Sequence, residues 1–169
     1  MSEYILEMNN IEKSFLGVHA LKGVSLKVKR GTVHALLWEN GAGKSTLMKI
    51  LMGMYRQDAG EVLFEGKKLQ AAGMGDILKQ GISMIYQELN PLPDMRVAEN
   101  IYLGREPKKR LGLVDYKALF RNTEELFQYL GISNLSPAEK MSSLTTAKMQ
   151  LVEIAKAISY HSRLIVMDE

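Results

Sequence analysis

Residues 34–53, HALLWENGAGKSTLMKILMG, constrain the fold of this chain more than any other stretch. A short apolar run enters a glycine-rich turn, and apolar residues then recur at the spacing of an amphipathic helix. We therefore predict a buried strand at 32–37, a tight turn, and a helix over 44–52 that ends before Gly53.

The glycine-rich turn has the residue types of a phosphate cradle. The backbone N–H groups of residues 40–46 can converge on phosphate oxygens, and the N-terminus of the following helix favours negative charge. Gly41 and Gly43 permit the backbone conformation and the close approach of a ligand. Lys44 would lie against the β- and γ-phosphates of a nucleotide, and the Ser45 hydroxyl would ligate Mg²⁺. A glycine-rich turn without a ligand is the alternative. The candidate phosphate-binding residues are Asn40, Gly41, Ala42, Gly43, Lys44, Ser45 and Thr46.

Strand and helix patterns alternate along the rest of the chain. Strand patterns are found at 4–15, 24–29, 61–66, 81–87 and 163–167. One helical pattern lies between Asp115, a suitable N-cap, and Gly131, a suitable terminator. A second helical pattern covers about 147–159, and the side chains that it should bury are Leu151, Ile154, Ala155 and Ile158. This order of elements predicts an α/β domain with a helical insertion.

Composition narrows the possible functions. The chain has 22 basic and 19 acidic residues, a net charge of +3, and its charges are spread out, which favours a mixed-charge surface over nucleic-acid binding. The basic run KKR at 108–110 is followed by Leu-Gly-Leu and is typical of a loop. The absence of cysteine excludes disulfides and thiolate metal sites. No apolar run approaches the roughly 20 residues of a membrane-spanning helix, and the N-terminus lacks a signal segment.

An acidic pair, Asp168 and Glu169, follows the apolar run LIVM. An acid at the carboxyl end of a buried parallel strand is well placed to hold the water shell of Mg²⁺, and a second acid can polarise an attacking water. An acidic surface turn is the alternative. The cradle 125 residues earlier favours the functional interpretation.

Five motifs in this order resemble those of the ATP-binding subunits of ABC importers: WENGAGKSTLMKIL, GISMIYQELN, VAENIYLGRE, LVEIAKAIS and LIVMDE. More narrowly, HALLWENGAGKSTLMK, YQELN and QLVEIAKA resemble the N-terminal half of the duplicated ATPases of ribose, galactose and xylose importers. The resemblance implies a P-loop NTPase core with an N-terminal antiparallel β part and a helical insertion, C-terminally incomplete. It places the core and Q-loop at 1–87, the helical subdomain at about 88–158 and the Walker B strand at 159–169.

The resemblance also implies that the cofactors are ATP and Mg²⁺. Phe15 matches the aromatic residue that stacks on adenine, and a core aromatic after a strand is its alternative. Gln87 matches the Q-loop glutamine, which contacts Mg²⁺ and the attacking water. Asp168 matches the Walker B aspartate, which would bind Mg²⁺ together with Ser45 and Gln87. Glu169 matches the catalytic glutamate. The residues implied in catalysis are Lys44, Gln87 and Glu169.

Residues 144–150, LTTAKMQ, stand at the place of the family's signature motif, which caps a helix facing the γ-phosphate held by an opposing ATPase half. Thr145 keeps a hydroxyl and Ala147 keeps a small side chain, whereas Lys148 replaces a glutamine. The cap and the helix dipole still favour phosphate, so the resemblance implies an altered signature. An ordinary helix N-cap is the alternative.

Two features depart from the family pattern. Trp38 stands where the P-loop opens with glycine, at a position with a demanding backbone and little space. Its explanations are drift in a disabled gene, a sequencing error, or an indole that touches nucleotide or the neighbouring half. The chain stops at Glu169, where the family continues to a further strand and a switch histidine, and that histidine is matched by none of His19, His34 and His161. We therefore expect an incomplete domain with uncovered apolar surface.

The implied function is an ATPase subunit that couples ATP binding and hydrolysis to monosaccharide uptake at the cytoplasmic face of the inner membrane. Its partners would be a second ATPase half or a homodimer partner, transmembrane permease subunits and, indirectly, a periplasmic sugar-binding protein. No nucleic-acid partner is expected. A truncated, non-catalytic remnant is one alternative. A soluble ABC protein of translation or DNA repair is another, and the balanced charge argues against it.

Overall fold

The computed structural model describes residues 2–37 and 43–168. Five residues that the sequence singles out lie outside these ranges: Trp38, Asn40, Gly41, Ala42 and Glu169. The chain divides into two units, Met1–Gln80 and Gly81–Glu169. No helix in the described ranges has both the length and the apolar character needed to cross a membrane.

The first unit contains a four-stranded antiparallel sheet. Its strands are β1 (Tyr4–Phe15), β2 (Val18–Lys29), β3 (Ala59–Phe64) and β4 (Lys67–Lys68), in the spatial order β2-β1-β3-β4. The strands predicted at 4–15 and 61–66 are confirmed. Among the described residues, the strands of this sheet bury eight apolar side chains, namely Ile5, Leu6, Met8, Ile11, Leu21, Val28, Val62 and Phe64. Burial of each such side chain contributes about 1.5–3 kcal/mol to folding.

Strand β2 begins six residues earlier than the pattern at 24–29 predicts. Leu16, with φ 45°, and Gly17, with φ 83°, form a two-residue turn that pairs Phe15 with Val18. Two successive residues with positive φ match the twist of an antiparallel hairpin. The earlier half of β2 was missed because VHALKG lacks the strict alternation of a half-buried strand.

The predicted buried strand at 32–37 is wrong. These residues form no helix or strand, and the side chains of Val33 and Leu37 are 102% and 92% exposed. An apolar run becomes a strand only where neighbouring strands accept and donate its backbone hydrogen bonds. In the described part of the chain, no strand pairs with this segment.

Two helices lie in the described part of the first unit. Helix α1 (Lys44–Leu51) buries Leu47, Met48, Ile50 and Leu51, and its C-cap is Met52, directly before Gly53. The prediction of this helix and of its end is confirmed. Helix α2 (Met74–Lys79) is shorter and buries Ile77.

The second unit contains two parallel strands, β5 (Ile82–Ile85) and β6 (Leu164–Met167). Their register pairs Ile82 with Leu164 and Ile85 with Met167, so both strands end at the same edge. The strand predictions at 81–87 and 163–167 are confirmed. Strand β6 is only partly covered: Met167 is 71% exposed, and its other three residues are half-buried.

Helices pack into a separate apolar core in this unit. They are α3 (Val97–Ile101), α4 (Tyr116–Leu130), a short 3-10 helix (Met141–Ser143) and α5 (Thr146–Ile158). The core consists of Val97, Ile101, Phe127, Leu135, Met141, Leu144, Val152 and Ala155. The predicted ends of α4 are confirmed: the Asp115 carboxylate accepts a hydrogen bond from the Ala118 N–H at 3.1 Å, and Gly131 closes the helix with φ 68°.

The predicted buried face of α5 is only partly correct. Ala155 is fully buried, but Leu151, Ile154 and Ile158 are half-buried, and the other buried residues are Val152 and Ala157. The helix packs against both α3 and β5. The residues that it buries therefore differ from those predicted for a helix covered on one face only.

We expect the substitution Asp115→Ala to lower the free energy of unfolding by about 1 kcal/mol, because it removes the side-chain acceptor at the N-cap of α4. Urea denaturation followed by circular dichroism measures this change. Asp94→Ala is the matched control, since it removes the same charge from an exposed residue of the same unit. Equal stabilities of the two variants would contradict a role for the cap.

Candidate nucleotide-binding site

The candidate region in the first unit is the N-terminus of α1. Gly43 is its N-cap residue, with φ 107° and ψ −2°, and Lys44 is its first helical residue. The Leu47 N–H donates the first intrahelical hydrogen bond, to the Gly43 carbonyl at 2.9 Å. The N–H groups of the preceding first turn therefore have no intrahelical acceptor and point out of the helix end.

Gly43 lies against β2. A Cβ atom added at Gly43 would stand 2.6 Å from the Ala20 carbonyl oxygen and 2.7 Å from Leu21 Cδ2, both closer than real Cβ contacts. The left-handed conformation and the close approach thus both require glycine here. This contact determines where the helix begins relative to the sheet of the first unit.

The first turn of α1 suits an anion. It contains no acidic residue, and it carries the Lys44 ammonium and the hydroxyls of Ser45 and Thr46. The Ser45 side chain is exposed, and Lys44 and Thr46 are half-buried. The positive end of the helix dipole adds to the attraction for negative charge.

The second unit has its own candidate region at the shared carboxyl edge of β5 and β6. Asp168 follows β6 directly, and its backbone N–H donates to the Ile85 carbonyl at 3.0 Å. Gln87 lies two residues beyond β5 and is exposed. Tyr86 is the residue between β5 and Gln87, and partial burial raises the pKa of its hydroxyl. The parallel pairing therefore brings Gln87 and Asp168 to one edge.

Asn100, which sequence reasoning missed, holds the segment after Gln87. Its buried amide accepts a hydrogen bond from the Leu92 N–H at 2.9 Å and donates to the carbonyls of Leu92 at 3.2 Å and Arg96 at 3.1 Å. A buried amide with these bonds fixes the backbone that it contacts. No local sequence pattern predicts this role of Asn100, because its main partner, Leu92, is eight residues away.

Phe15 lies at the surface end of β1. Its ring is 38% exposed and meets Tyr55 in an edge-to-face contact with 5.2 Å between the ring centroids. The alternative interpretation of Phe15 as a core aromatic is therefore wrong. Tyr55 was not singled out from the sequence, since the two rings are 40 residues apart in the chain and only the β1–β3 pairing brings them together.

Charged groups surround this aromatic pair. Lys13 Nζ is 5.4 Å from the Phe15 ring centroid, and Lys49 Nζ is 5.6 Å from that of Tyr55. Asp58 accepts hydrogen bonds from Lys13 Nζ at 2.7 Å and from the Ser14 N–H at 2.8 Å. These two bonds, that of Lys13 first, lower the pKa of the Asp58 carboxyl. The end of β1 that carries Phe15 is thus held in place.

Another candidate region of the second unit is the N-terminus of α5. Thr145 is the N-cap, and its hydroxyl accepts a long hydrogen bond of 3.4 Å from the Lys148 N–H. Thr145 and Ala147 are exposed. Lys148 Nζ lies 3.7 Å from Glu139 Oε1, and both side chains are partly buried. Because this carboxylate shares the ammonium charge, Lys148 adds less attraction for an anion than an isolated lysine would.

Gln87 and Asp168 place two oxygen-bearing side chains at the shared edge of β5 and β6. Among the described residues, no group of three or more His, Cys, Asp or Glu side chains could hold a metal ion. The amide oxygen of Gln87 and the carboxylate of Asp168, both in the second unit, are hard oxygen donors. Mg²⁺ is usually bound by one or two such groups together with substrate phosphates.

Solved structures define the class of protein. An ATP-binding cassette of an ABC transporter, in its ADP conformation, matches with a TM-score of 0.83 and 31% identity over 99% of this chain and 69% of that chain. A nucleotide-free ATP-binding cassette matches with a TM-score of 0.80 and 31% identity over 98% of this chain and 69% of that chain. The predicted fold, a P-loop ATPase core with an N-terminal antiparallel β part, is confirmed. Residues 21–169 match the ABC transporter family, and the chain belongs to that family.

Two curated relatives are closely similar in sequence. A protein of Geobacillus kaustophilus, provisionally named as a ribose/galactose/methyl galactoside import ATP-binding protein, is 58% identical over 100% of this chain and 34% of its own length. The galactose/methyl galactoside import ATP-binding protein of Clostridium tetani is 55% identical over 98% of this chain and 33% of its own length. The chain thus spans about a third of the relatives it matches.

Proposed function

We propose that this chain binds ATP as the nucleotide-binding part of an ABC importer ATPase. The observation that carries the proposal is the start of α1: a left-handed Gly43 packed against β2, followed at once by Lys44, Ser45 and Thr46 in a first turn without acidic residues. A helix N-terminus with these groups is a phosphate-binding site in chemical terms. The close similarity to import ATP-binding proteins supports the same proposal.

Each residue of the cradle has a separate task in this proposal. Lys44 pairs with the β- and γ-phosphates, and the N–H groups of the first turn donate to the phosphate oxygens. Residues 40–42, whose N–H groups the sequence also assigns to the cradle, lie outside the described residues. Phe15 stacks on the adenine, and its exposed ring at the end of β1 supports that role.

The carboxyl edge of β5 and β6 supplies the hydrolytic groups in the proposal. Glu169 polarises the attacking water, and Gln87 orients it. The side chains that would hold Mg²⁺ are those of Ser45, Gln87 and Asp168. When bound, Mg²⁺ supplies positive charge that neutralises the phosphate oxygens. The common edge reached by Gln87 and Asp168 supports this assignment.

The helical unit supplies the contact with other subunits in the proposal. Thr145 and Ala147, exposed at the N-terminus of α5, face the γ-phosphate held by a second ATPase half or a second copy. The helical region at 88–158 faces the transmembrane permease, and a periplasmic sugar-binding protein acts through that permease. The proposal keeps the division of the chain into a core with the Q-loop at 1–87, a helical subdomain at about 88–158 and the Walker B strand at 159–169.

The proposed process is monosaccharide uptake. ATP binding closes two ATPase halves and moves the permease, and hydrolysis reopens them. The protein would lie peripherally on the cytoplasmic face of the inner membrane. The names of the two relatives, which carry ribose, galactose and methyl galactoside import, support a sugar as the transported substrate.

We expect Lys44→Met to weaken ATP binding by at least about tenfold, because a charge-assisted contact with phosphate contributes about 1.5–3 kcal/mol. Isothermal titration calorimetry of the whole chain, with ATP and MgCl₂, measures the dissociation constant. Lys67→Met, on the exposed strand β4, is the matched control and should bind like the unchanged protein. Equal ATP affinity in the two variants would refute the cradle assignment.

A nucleotide-binding module without hydrolysis is the second candidate. The Lys148–Glu139 ion pair favours it, since it alters the signature helix where the family has glutamine. Trp38, at the opening position of the P-loop, is a second departure. ATP binding and phosphate release should therefore be measured for the unchanged chain and for Trp38→Gly. Binding without phosphate release in both forms would favour this candidate, and no binding in either form would refute both candidates.

A further inference from the structure

The segment 107–115 forms a short, ordered hairpin, here called the basic hairpin. Lys108 pairs with Val114 in an antiparallel bridge, and the Lys109 N–H donates to the Leu113 carbonyl at 2.8 Å. The Gly112 N–H donates a hydrogen bond to the Lys109 carbonyl at 2.9 Å, and Gly112 has φ 79°. This is a three-residue hairpin loop closed by a left-handed glycine. Its tip is therefore preorganised.

The tip of the basic hairpin combines positive charge with exposed apolar surface. All six residues from 108 to 113 are exposed, and they include the three cations of KKR. Leu111 is 87% exposed and Leu113 is 66% exposed. Single exposed leucines are ordinary on protein surfaces, but two of them next to three cations on one tight turn form a distinct patch.

The charge of this tip is not neutralised locally. In the part of the chain that the structure describes, no carboxylate lies within ion-pair distance of Lys108, Lys109 or Arg110. The acidic residues at the base of the hairpin are engaged elsewhere: Glu106 accepts from the Gly104 N–H, and Asp115 caps α4. The three positive charges of the tip are therefore available to an anionic partner.

We propose that the tip of the basic hairpin docks on an anionic phospholipid surface. Cations near such a surface are attracted by its negative charge, and apolar side chains beside them enter the boundary between headgroups and acyl chains. All six tip residues are exposed on one tight turn, and a lipid surface can deform around such a tip. The tip also lacks the aromatic side chains on which nucleic-acid bases stack. The proposal does not depend on nucleotide binding.

Flotation with lipid vesicles tests the proposal on the whole chain. Vesicles of phosphatidylcholine with about one third phosphatidylglycerol should carry the protein upward, and vesicles of phosphatidylcholine alone should not. Neutralising the tip with K108Q, K109Q and R110Q together should lower the partition coefficient at least about tenfold. The pair L111S and L113S should lower it at least about fivefold while leaving the charge unchanged.

The matched control removes two cations from another exposed strand. K67Q with K68Q, on β4, should bind the anionic vesicles like the unchanged chain. Circular dichroism checks that every variant is folded, and Arg110→Gln alone, which changes one exposed loop side chain, replaces the triple variant if that one unfolds. The proposal fails if the tip and β4 variants bind equally. It also fails if the leucine pair has no effect, or if poly-L-glutamate binds the chain as tightly as the anionic vesicles do.

Discussion

Replacing Gly43 with alanine should lower the free energy of unfolding by about 2–5 kcal/mol and weaken nucleotide binding at the same time. Two physical effects combine. A residue with a Cβ atom is strained at φ 107°, and that atom would overlap the Ala20 carbonyl oxygen at 2.6 Å and Leu21 Cδ2 at 2.7 Å. The Leu21 methyl can move, but the carbonyl of Ala20 belongs to the backbone of β2. The N-terminus of α1 must therefore shift.

Guanidinium denaturation measures the stability of Gly43→Ala, and calorimetric titration with ATP measures its affinity. Gly31→Ala is the matched control, because Gly31 also has positive φ, 66°, but an added Cβ there would meet nothing within 4 Å. Gly31→Ala should lower the free energy of unfolding by only about 1–2 kcal/mol and leave the affinity for ATP unchanged. If Gly43→Ala were no less stable than the control, close packing against β2 would not be what fixes the start of α1.

Replacing Gly60 with alanine should destabilise the first unit by about 3–5 kcal/mol. Gly60 lies within β3 with φ 87°, and an added Cβ would overlap the backbone carbonyl oxygens of Asn9 and Asn10 on β1. The overlap with Asn9 O alone would be at 2.5 Å. Both groups belong to paired strands, so neither can move without breaking the β1–β3 ladder, whose register already shifts between Asn9 and Glu12.

Thermal and guanidinium unfolding followed by circular dichroism measure this effect. Gly66→Ala is the matched control, since Gly66 has φ 76° but its added Cβ would lie 3.6 Å from Ser2 Cβ, an ordinary contact. We expect Gly66→Ala to lower the free energy of unfolding by about 1–2 kcal/mol. Native-like stability of Gly60→Ala would mean that β1 and β3 can separate at this point without loss, which would contradict the register.

Local features of the fold were predictable from short stretches of sequence. Helix α4 is bounded by Asp115 and Gly131, both recognised in advance, because caps act on the first and last turns alone. The start of α1 at Lys44 follows from the adjacent glycine-rich turn for the same reason. The paired strands β5 and β6 were also predicted, since each is a short apolar run bounded by polar residues.

Features that depend on distant residues were not predictable in this way. The apolar run at 32–37 has the composition of a strand, yet no described strand pairs with it. The buried face of α5 centres on Val152 and Ala155, because its neighbours and not its own periodicity decide which side is covered. Of the site, the cradle residue types were visible in the sequence, but Tyr55 and Asn100 became visible only through their contacts.

The sequence alone determined the family, the residue types of the cradle, and the ends of the helices, because these rest on motifs and on interactions within a few residues. The tertiary structure decided the rest. Gly43 is required by β2, which precedes it by some twenty residues, and Gly60 by the carbonyls of β1. The Phe15–Tyr55 pair and the common edge of Gln87 and Asp168 likewise arise from strand pairing. Such contacts depend on register and close packing between distant segments, which no local pattern encodes.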